Sequence, residues 1–183
     1  MKMSLDVLST FPEIDGIVDP ELKRKVVRVW ERFWEESAWE RIEDMPTSLD
    51  IPAPHVPHNR AVVAIALAIA DAFERFHDMP VDRDRLLAGG FLQDASKLVE
   101  TMPAEDGIAQ TDRGRLFPHA YLGAQVAMEE GVDDIICDII LNHTPQSAHF
   151  PKSVEGRILF FADQVDLLGV NAGKWKKVLM LGR

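Results

Sequence analysis

Apolar residues recur three or four positions apart through most of this chain, and the alternating pattern of β-strands is almost absent. Leu87, Phe91, Ala95 and Leu98, for example, share one face of a helix, as in a helix that packs against a core. Proline and glycine separate the helical stretches. A chain of this kind has to bury helix against helix. The pattern therefore predicts an all-α fold, a compact bundle of about six to eight helices.

The same pattern places the helices and their connections. Asp19 and Pro20 are typical of a helix start, with an N-cap followed by proline at the first helical position. The stretch 45–57 contains four prolines and is expected to be irregular, and 101–117 is expected to be loop. Helices are expected over 19–37, 58–77, 82–100, 118–130, 132–143 and 153–168, with a last short turn or helix within 171–183.

Length, charge and cysteine content limit the class of protein. The 183 residues are expected to form one domain, in which residues 1–45 are a helical extension. A formal net charge of -10 argues against a broad nucleic-acid surface, and the single cysteine excludes an internal disulfide and fits the cytoplasm. The N-terminus does not resemble a signal peptide, and the apolar run 61–70 is too short to span a bilayer. No membrane association is expected, and a homo-oligomer stays open.

Five of the expected helices each carry one histidine or aspartate on or beside the apolar face. Asp94 lies between Phe91 and Leu98, and a buried carboxylate is destabilising by several kcal/mol unless something pairs with it. Three imidazoles and two carboxylates in one core would suit Fe, Mn, Co, Ni or Zn. Each residue taken alone could instead be a core histidine with one hydrogen bond or half of an ion pair. The five residues are His58, Asp94, His119, His143 and Asp163.

Four stretches carry a resemblance to a known family. In chain order they are HNRAVVAIALAIA, LLAGGFLQDASK, HAYLGAQVAMEEGVDDIICDIILNH and ILFFADQVD. Their order of histidines and aspartates resembles the HD-domain superfamily of metal-dependent (phospho)hydrolases, over residues 55–168. The resemblance implies an all-α bundle that binds one or two divalent metal ions and acts on a small molecule.

The resemblance also implies roles for individual residues. His58 matches the first histidine of the family, Asp94 the aspartate of the His-Asp pair, and Asp163 the final aspartate. His119 and His143 match the histidines that hold a second metal in dinuclear members. Asp94 and Lys97, three positions later, are implied as catalytic residues.

Gln93 is a departure from the family, which usually has histidine there as a ligand of the first metal. An amide oxygen is a weaker donor to Fe or Zn than a neutral imidazole. The first metal would then be held by His58, Asp94 and Asp163, with Gln93 as a fourth ligand or as the ligand of a bound water. The second would be held by Asp94, His119 and His143, and a loss of the family's activity stays open.

Other polar residues are candidates for contact with a substrate. Lys97 could bind an anionic group, or it could be a solvated helix residue. His55, flanked by prolines, is expected on a loop at the rim of the site, and His149 is expected on an exposed loop from which it could reach substrate. Asp166 could orient a ligand in its neighbourhood.

The resemblance, together with the departure at Gln93, implies three classes of function. The first is metal-dependent hydrolysis of a small molecule, at a phosphoester or a C–N bond. The second is oxygenation at a di-iron centre, which some proteins of this fold perform with a similar set of five ligands. The third is a non-catalytic binding protein, for which the substitution at Gln93 is the argument.

Overall fold

The computed structural model of the protein describes residues 2–170, and helices make up most of that part of the chain. The elements in chain order are α1 (Val7–Thr10), a 3-10 helix (Pro12–Gly16), α2 (Pro20–Glu36), a second 3-10 helix (Ile42–Asp44), α3 (His55–His77), α4 (Arg83–Leu92), α5 (Lys97–Glu100), β1 (Thr101–Ala104), β2 (Gly107–Gln110), α6 (Asp112–Leu116), α7 (His119–Glu129), α8 (Asp134–Asn142) and α9 (Val154–Val170). The predicted all-α bundle is confirmed. The turn or helix expected over 171–183 lies outside the described residues.

Aspartate caps begin four of the described helices, among them α1, where the Asp6 side chain accepts a hydrogen bond from the backbone N–H of Ser9. The Asp19 side chain accepts hydrogen bonds from the backbone N–H groups of Glu21 and Leu22, and Pro20 occupies the first position of α2, as the sequence indicates. Asp82 and Asp133 cap α4 and α8 in the same way. Each cap satisfies backbone donors that have no partner within the helix.

The N-terminal residues pack into the same core as the helices that follow. The ring of Phe11 lies 4.6 Å from that of Trp30 between centroids and 5.4 Å from that of Phe91. The Trp30 indole N–H donates a 3.0 Å hydrogen bond to the carbonyl oxygen of Phe91, so α2 is tied directly to the end of α4. All three aromatic side chains are fully buried.

Two adjacent glycines let α4 pass through the middle of the bundle. A Cβ atom at Gly90 would lie 2.7 Å from Val63 of α3, and one at Gly89 would lie 2.9 Å from Ile139 of α8. Contacts this short are sterically forbidden, so only glycine allows the three helices to approach so closely. Because α4 lies at the centre, the residues that follow it are placed in the interior.

The prediction of one continuous helix over 82–100 is wrong. The regular helix ends at Leu92, and residues 93–96 form a tighter turn before α5. In this turn the N–H of Ala95 bonds to the carbonyl of Leu92 and that of Lys97 to the carbonyl of Asp94, three residues back instead of four. Apolar spacing cannot reveal such a turn, because residues three and four apart lie on the same helical face.

Two of the expected irregular stretches contain regular structure. Residues 101–117 include an antiparallel hairpin, in which Thr101 pairs with Gln110, and the short helix α6 follows it. Gly107, which begins the second strand, has a positive φ of 122°. Helix α3 begins at His55 and not at 58, with Pro54 as its N-cap and Pro57 in its first turn. Proline is tolerated in a first turn because the N–H groups there have no helical partner.

Helix α3 is longer than the apolar run from which it was expected. At 23 residues it is long and apolar enough to cross a membrane by length and composition alone, a test that core helices of globular proteins also pass. In this structure it packs mainly along α9 and α4. Its first turn carries His58 into the interior.

Candidate metal centre

The five histidines and aspartates singled out from the sequence meet at one place in the bundle. His58 comes from the first turn of α3, Asp94 from the turn after α4, and His119 from the start of α7. His143 caps the C-terminus of α8, and Asp163 lies in the middle of α9. Five separate elements therefore supply one side chain each.

Asp94 lies at the centre of this set, and its two carboxylate oxygens face different partners. Oδ2 is 3.3 Å from Nε2 of His58, whose same nitrogen is 3.3 Å from Oδ1 of Asp163. Oδ1 is 3.4 Å from Nε2 of His119 and 3.3 Å from Nε2 of His143. Asp94 is thus shared by two groups of three residues.

We call His58, Asp94 and Asp163 the first ligand group, and Asp94, His119 and His143 the second ligand group. In each group the possible ligand atoms all lie within 4.8 Å of one another. Ligand bonds to a transition metal are about 2.0–2.2 Å long, so atoms at this spacing can surround one ion. Either group could hold a metal ion through nitrogen and oxygen donors.

The second ligand group presents lone pairs to a common point. The Nδ1–H of His143 donates a 2.7 Å hydrogen bond to the carbonyl of Ile140, which leaves the lone pair on Nε2. Nδ1 of His119 lies 3.6 Å from the Glu100 carboxylate, which favours the proton on that nitrogen as well. Within residues 2–170, Oδ1 of Asp94 is buried without a hydrogen-bond donor. Nε2 of His119 and Nε2 of His143 also lie 3.2 Å apart, so the three donor atoms converge on one point where a cation would fit.

The first ligand group is held by a carboxylate behind its histidine. Nδ1–H of His58 donates a 2.6 Å hydrogen bond to Oδ2 of Asp166, one turn after Asp163 on α9. Burial alone lowers the pKa of His58, but hydrogen bonds with Asp163, Asp166 and Asp94 outweigh it and raise the pKa to about 11. The three carboxylates make a strongly negative environment around this ring, which also favours a bound cation.

The buried charge of Asp94 is also paired with a lysine. Nζ of Lys97 lies 2.9 Å from Oδ2 of Asp94. Burial alone raises the pKa of Asp94, but the charge of Lys97 and the surrounding imidazoles hold it well below the ordinary 3.8. Burial lowers the pKa of Lys97, and the charges of Asp94 and Asp163 outweigh this and raise it. Burial lowers the pKa of His119, which favours its neutral, ligating form.

Comparison with known proteins agrees with this geometry. The family model described as HD domain matches residues 56–168, more than half of the chain. The chain belongs to the HD domain family. HD domains bind divalent metal ions, and here the histidines and aspartates of the two ligand groups are candidates for holding them.

One curated relative of this HD domain has a named activity. Dihydroneopterin 2',3'-cyclic phosphate phosphodiesterase from Methanocaldococcus jannaschii is 29% identical over 132 residues, which cover 68% of this chain and 52% of the relative. The chain thus spans about half the length of that protein. No solved structure matches the chain at a significant level. The family and the relative together support a metal-dependent hydrolase.

Gln93 directly precedes Asp94 in the turn after α4, and its side chain makes no hydrogen bond within residues 2–170. Its side chain is fully buried, and within residues 2–170 neither its amide oxygen nor its amide nitrogen has a hydrogen-bond partner. A buried, unpaired amide is destabilising by about 1–3 kcal/mol. A bound group that forms a hydrogen bond or a metal bond with this side chain would remove that penalty. A metal or its bound water could satisfy the oxygen.

An open cleft of about 970 Å³ leads from the ligand groups to the surface. Its inner part is lined by the ligand residues and Lys97, and its outer part by Arg115, Phe117, Tyr121 and His149, among others. His149 is exposed there, on the irregular stretch after α8, where the sequence placed it. Lys97 is not a solvated helix residue, since only 12% of its side chain is exposed.

The expectation for His55 is wrong. It is the first residue of α3, is fully buried, and does not line the cleft. Its Nε2 accepts a 3.1 Å hydrogen bond from the side-chain N–H of Asn59, and its ring lies 6.0 Å from that of Trp30. Burial lowers its pKa to about 3. The flanking prolines suggested a loop, but they belong to a helix start, and the ring turns into the core.

Two features of the cleft were not found from the sequence. Phe117 and Tyr121 stack on each other, with ring centroids 5.7 Å apart and planes inclined by 22°. Their spacing of four residues around His119 is a signal that could have indicated such a pair. Glu100, which faces His119, ends α5 and follows no pattern that distinguishes it from an exposed helix residue.

Proposed function

We propose that this HD domain is a metal-dependent hydrolase that cleaves a phosphoester bond in a small molecule. The observation that carries the proposal is that Asp94 is shared by two ligand groups at the inner end of an open cleft. Two metal positions that share a carboxylate are a common arrangement for phosphoryl hydrolysis. The relative named above is a phosphodiesterase, which favours a phosphoester over a C–N bond.

The proposed roles of the residues follow from their contacts. His58, Asp94 and Asp163 would hold one ion, and Asp94, His119 and His143 the other. A divalent ion supplies positive charge that activates water and polarises the phosphoryl group. Asp166 fixes the ring of His58 by its hydrogen bond, as carboxylates beside ligating histidines do.

Two basic side chains suit an anionic substrate. Lys97 lines the inner cleft next to Asp94, where its ammonium group can stabilise negative charge on a phosphoryl oxygen. Arg115 lines the outer cleft and is more than half exposed. In a protein of net charge -10, these two side chains supply positive charge at the cleft, although each is paired with an aspartate.

The stacked pair at the cleft suits a planar ring in the substrate. Phe117 is 44% exposed and Tyr121 48% exposed, so the aromatic surface stays open to a ligand. Both belong to the chain segment that carries His119, which places an aromatic face beside the second ligand group. A phosphoester attached to a heteroaromatic ring, as in the substrate that the relative's name gives, would use both features.

The test is chelator-sensitive turnover. Protein freed of metal is supplied with Mn²⁺ or Fe²⁺ without oxygen and assayed with 2',3'-cyclic nucleotides, a nitrophenyl phosphodiester and a nitrophenyl phosphomonoester. We expect hydrolysis that EDTA abolishes and that Asp94→Asn lacks. Oxygen consumption by the iron-loaded protein with a substrate would favour the oxygenase alternative. Absence of turnover with every metal would favour a non-catalytic binding protein.

A further inference from the structure

The two ligand groups offer a metal unequal donors. The second group has two imidazoles and one carboxylate, whereas the first has one imidazole and two carboxylates. Imidazole suits Fe, Co, Ni and Zn better than carboxylate does. Gln93, next to Asp94 in the chain, can add only an amide oxygen to the first group, and this is a weaker donor than an imidazole.

Lys97 adds a second inequality. Its Nζ contacts Oδ2 of Asp94, the oxygen that faces His58 in the first group, while Oδ1 faces the two imidazoles of the second group. An ion in the first group would share Oδ2 with an ammonium group that is 12% exposed. Like charges so close together and away from water repel strongly. An ion that binds in the first ligand group therefore either displaces the Lys97 ammonium group or binds against its repulsion.

The second ligand group has the more suitable donors, and its oxygen of Asp94, Oδ1, is not the one that Lys97 contacts directly. The Nδ1–H of His143 is held by the carbonyl of Ile140, so the ring is oriented before any ion arrives. Oδ1 of Asp94 is buried and lacks a hydrogen-bond donor within residues 2–170. A cation bound there would therefore stabilise an oxygen that is otherwise unsatisfied. His58 of the first group is oriented in the same way by Asp166, so the difference between the groups lies in the donor types and in the contact with Lys97.

We propose that this chain holds one tightly bound ion in the second ligand group, Asp94, His119 and His143, and that the first ligand group fills only weakly. The ammonium group of Lys97 lies beside Asp94 on the side that faces the first group. The inference rests on the metal binding of the proposed function. Its test measures how many metal ions bind and how tightly, and it does not depend on turnover. A protein without hydrolase activity can therefore still confirm or overturn the inference.

The decisive measurement is a calorimetric titration of metal-free protein with Mn²⁺ under anaerobic conditions. We expect one tight equivalent and a second that binds at least about tenfold more weakly, the scale of effects from groups beside metal ligands. His143→Ala should lose the tight equivalent, and Asp163→Asn should keep it and lose the weak one. The reverse pattern, or two equivalents of equal affinity in the wild type, would overturn the proposal.

A second set of variants tests the cause of the inequality. Lys97→Met removes the competing charge and should strengthen the weak equivalent by about tenfold, whereas Lys97→Arg keeps the charge and should not. Gln93→His should bring the weak equivalent close to the tight one. Unchanged weak binding in both Lys97→Met and Gln93→His would contradict the proposed cause. Circular dichroism identifies folded variants, and His119→Asn replaces His143→Ala if the latter does not fold.

Discussion

Nδ1 of His58 and Oδ2 of Asp166 are joined by a hydrogen bond of 2.6 Å, and both side chains are largely shielded from solvent. The bond fixes the tautomer of His58 and turns its Nε2 toward Asp94 and Asp163. Asp166 is one helical turn from Asp163, so a single helix, α9, supplies both a ligand and the group that orients another ligand.

Asp166→Ala is therefore expected to weaken metal binding in the first ligand group by about 10–100-fold. The tight equivalent in the second group should remain, because neither His119 nor His143 contacts Asp166. The measurement is the Mn²⁺ titration described above. Asp106→Ala, at the exposed turn of the hairpin, removes a carboxylate far from α9 in sequence and should change neither equivalent.

Asp94 and Lys97 form a buried ion pair, and its loss is expected to lower the stability of the protein even when no metal is bound. Asp94→Asn leaves the Lys97 ammonium buried without its partner, which is expected to lower the free energy of unfolding by about 3–5 kcal/mol. Urea denaturation in the presence of a chelator measures this. The double variant with Lys97→Met should be more stable than Asp94→Asn alone, by about 0.5–3 kcal/mol. A strictly additive double variant would show that the two charges do not interact.

The site residues could be found from the sequence because histidines and aspartates stand at helix positions where the pattern otherwise has apolar residues. Asp94 breaks an apolar face, and four other helices show the same conflict, so the five residues stand out one by one. Their convergence on one point could come only from the resemblance or the structure, since spacing within a helix says nothing of its neighbours. His55 shows the opposite case. His55 is a polar residue in the core, but the sequence gives no sign of this because Pro54 and Pro57 flank it. Proline occurs in loops as well as in first helical turns, so a loop was the expected structure.

The glycines of α4 should tolerate no side chain. Gly90→Ala puts a methyl group 2.7 Å from Cγ2 of Val63 and 3.1 Å from Cδ2 of Leu159. We expect the free energy of unfolding to fall by about 1–3 kcal/mol, because a packed core has no room to adjust. Gly169→Ala is the matched control, since no atom of residues 2–170 lies within 4 Å of its added Cβ. That variant should be neutral or stabilising by up to about 1 kcal/mol, as alanine favours a helix.

Tyr121 is expected to act on substrate binding and not on chemistry. Tyr121→Ala removes one ring of the stacked pair and should raise KM for a ring-bearing phosphoester by about tenfold, equivalent to about 1.4 kcal/mol, with kcat little changed. Tyr121→Phe keeps the ring and should behave as the wild type. A substrate without a ring should be indifferent to both changes. An equal loss of kcat for every substrate would point to a damaged metal centre and argue against a ring-binding surface.

His55 should make the metal-free protein sensitive to acid. Burial lowers its pKa to about 3 from the ordinary 6.5, so below pH 6.5 the unfolded chain takes up a proton that the folded protein refuses. The free energy of unfolding should fall as pH drops from 6.5 toward 3, by up to about 5 kcal/mol from this residue.

The measurement is urea denaturation between pH 6.5 and 4.5 with chelator present, above the range in which Asp94 takes up its proton. His55→Gln should reduce the pH slope of the unfolding free energy by about 1.4 kcal/mol per pH unit, because one fewer proton is taken up on unfolding. A residual slope should persist, since the pKa of His119 is lowered by burial as well. His77→Gln, at the exposed end of α3, is the matched control. An unchanged slope in His55→Gln would mean that His55 is protonated in the folded core.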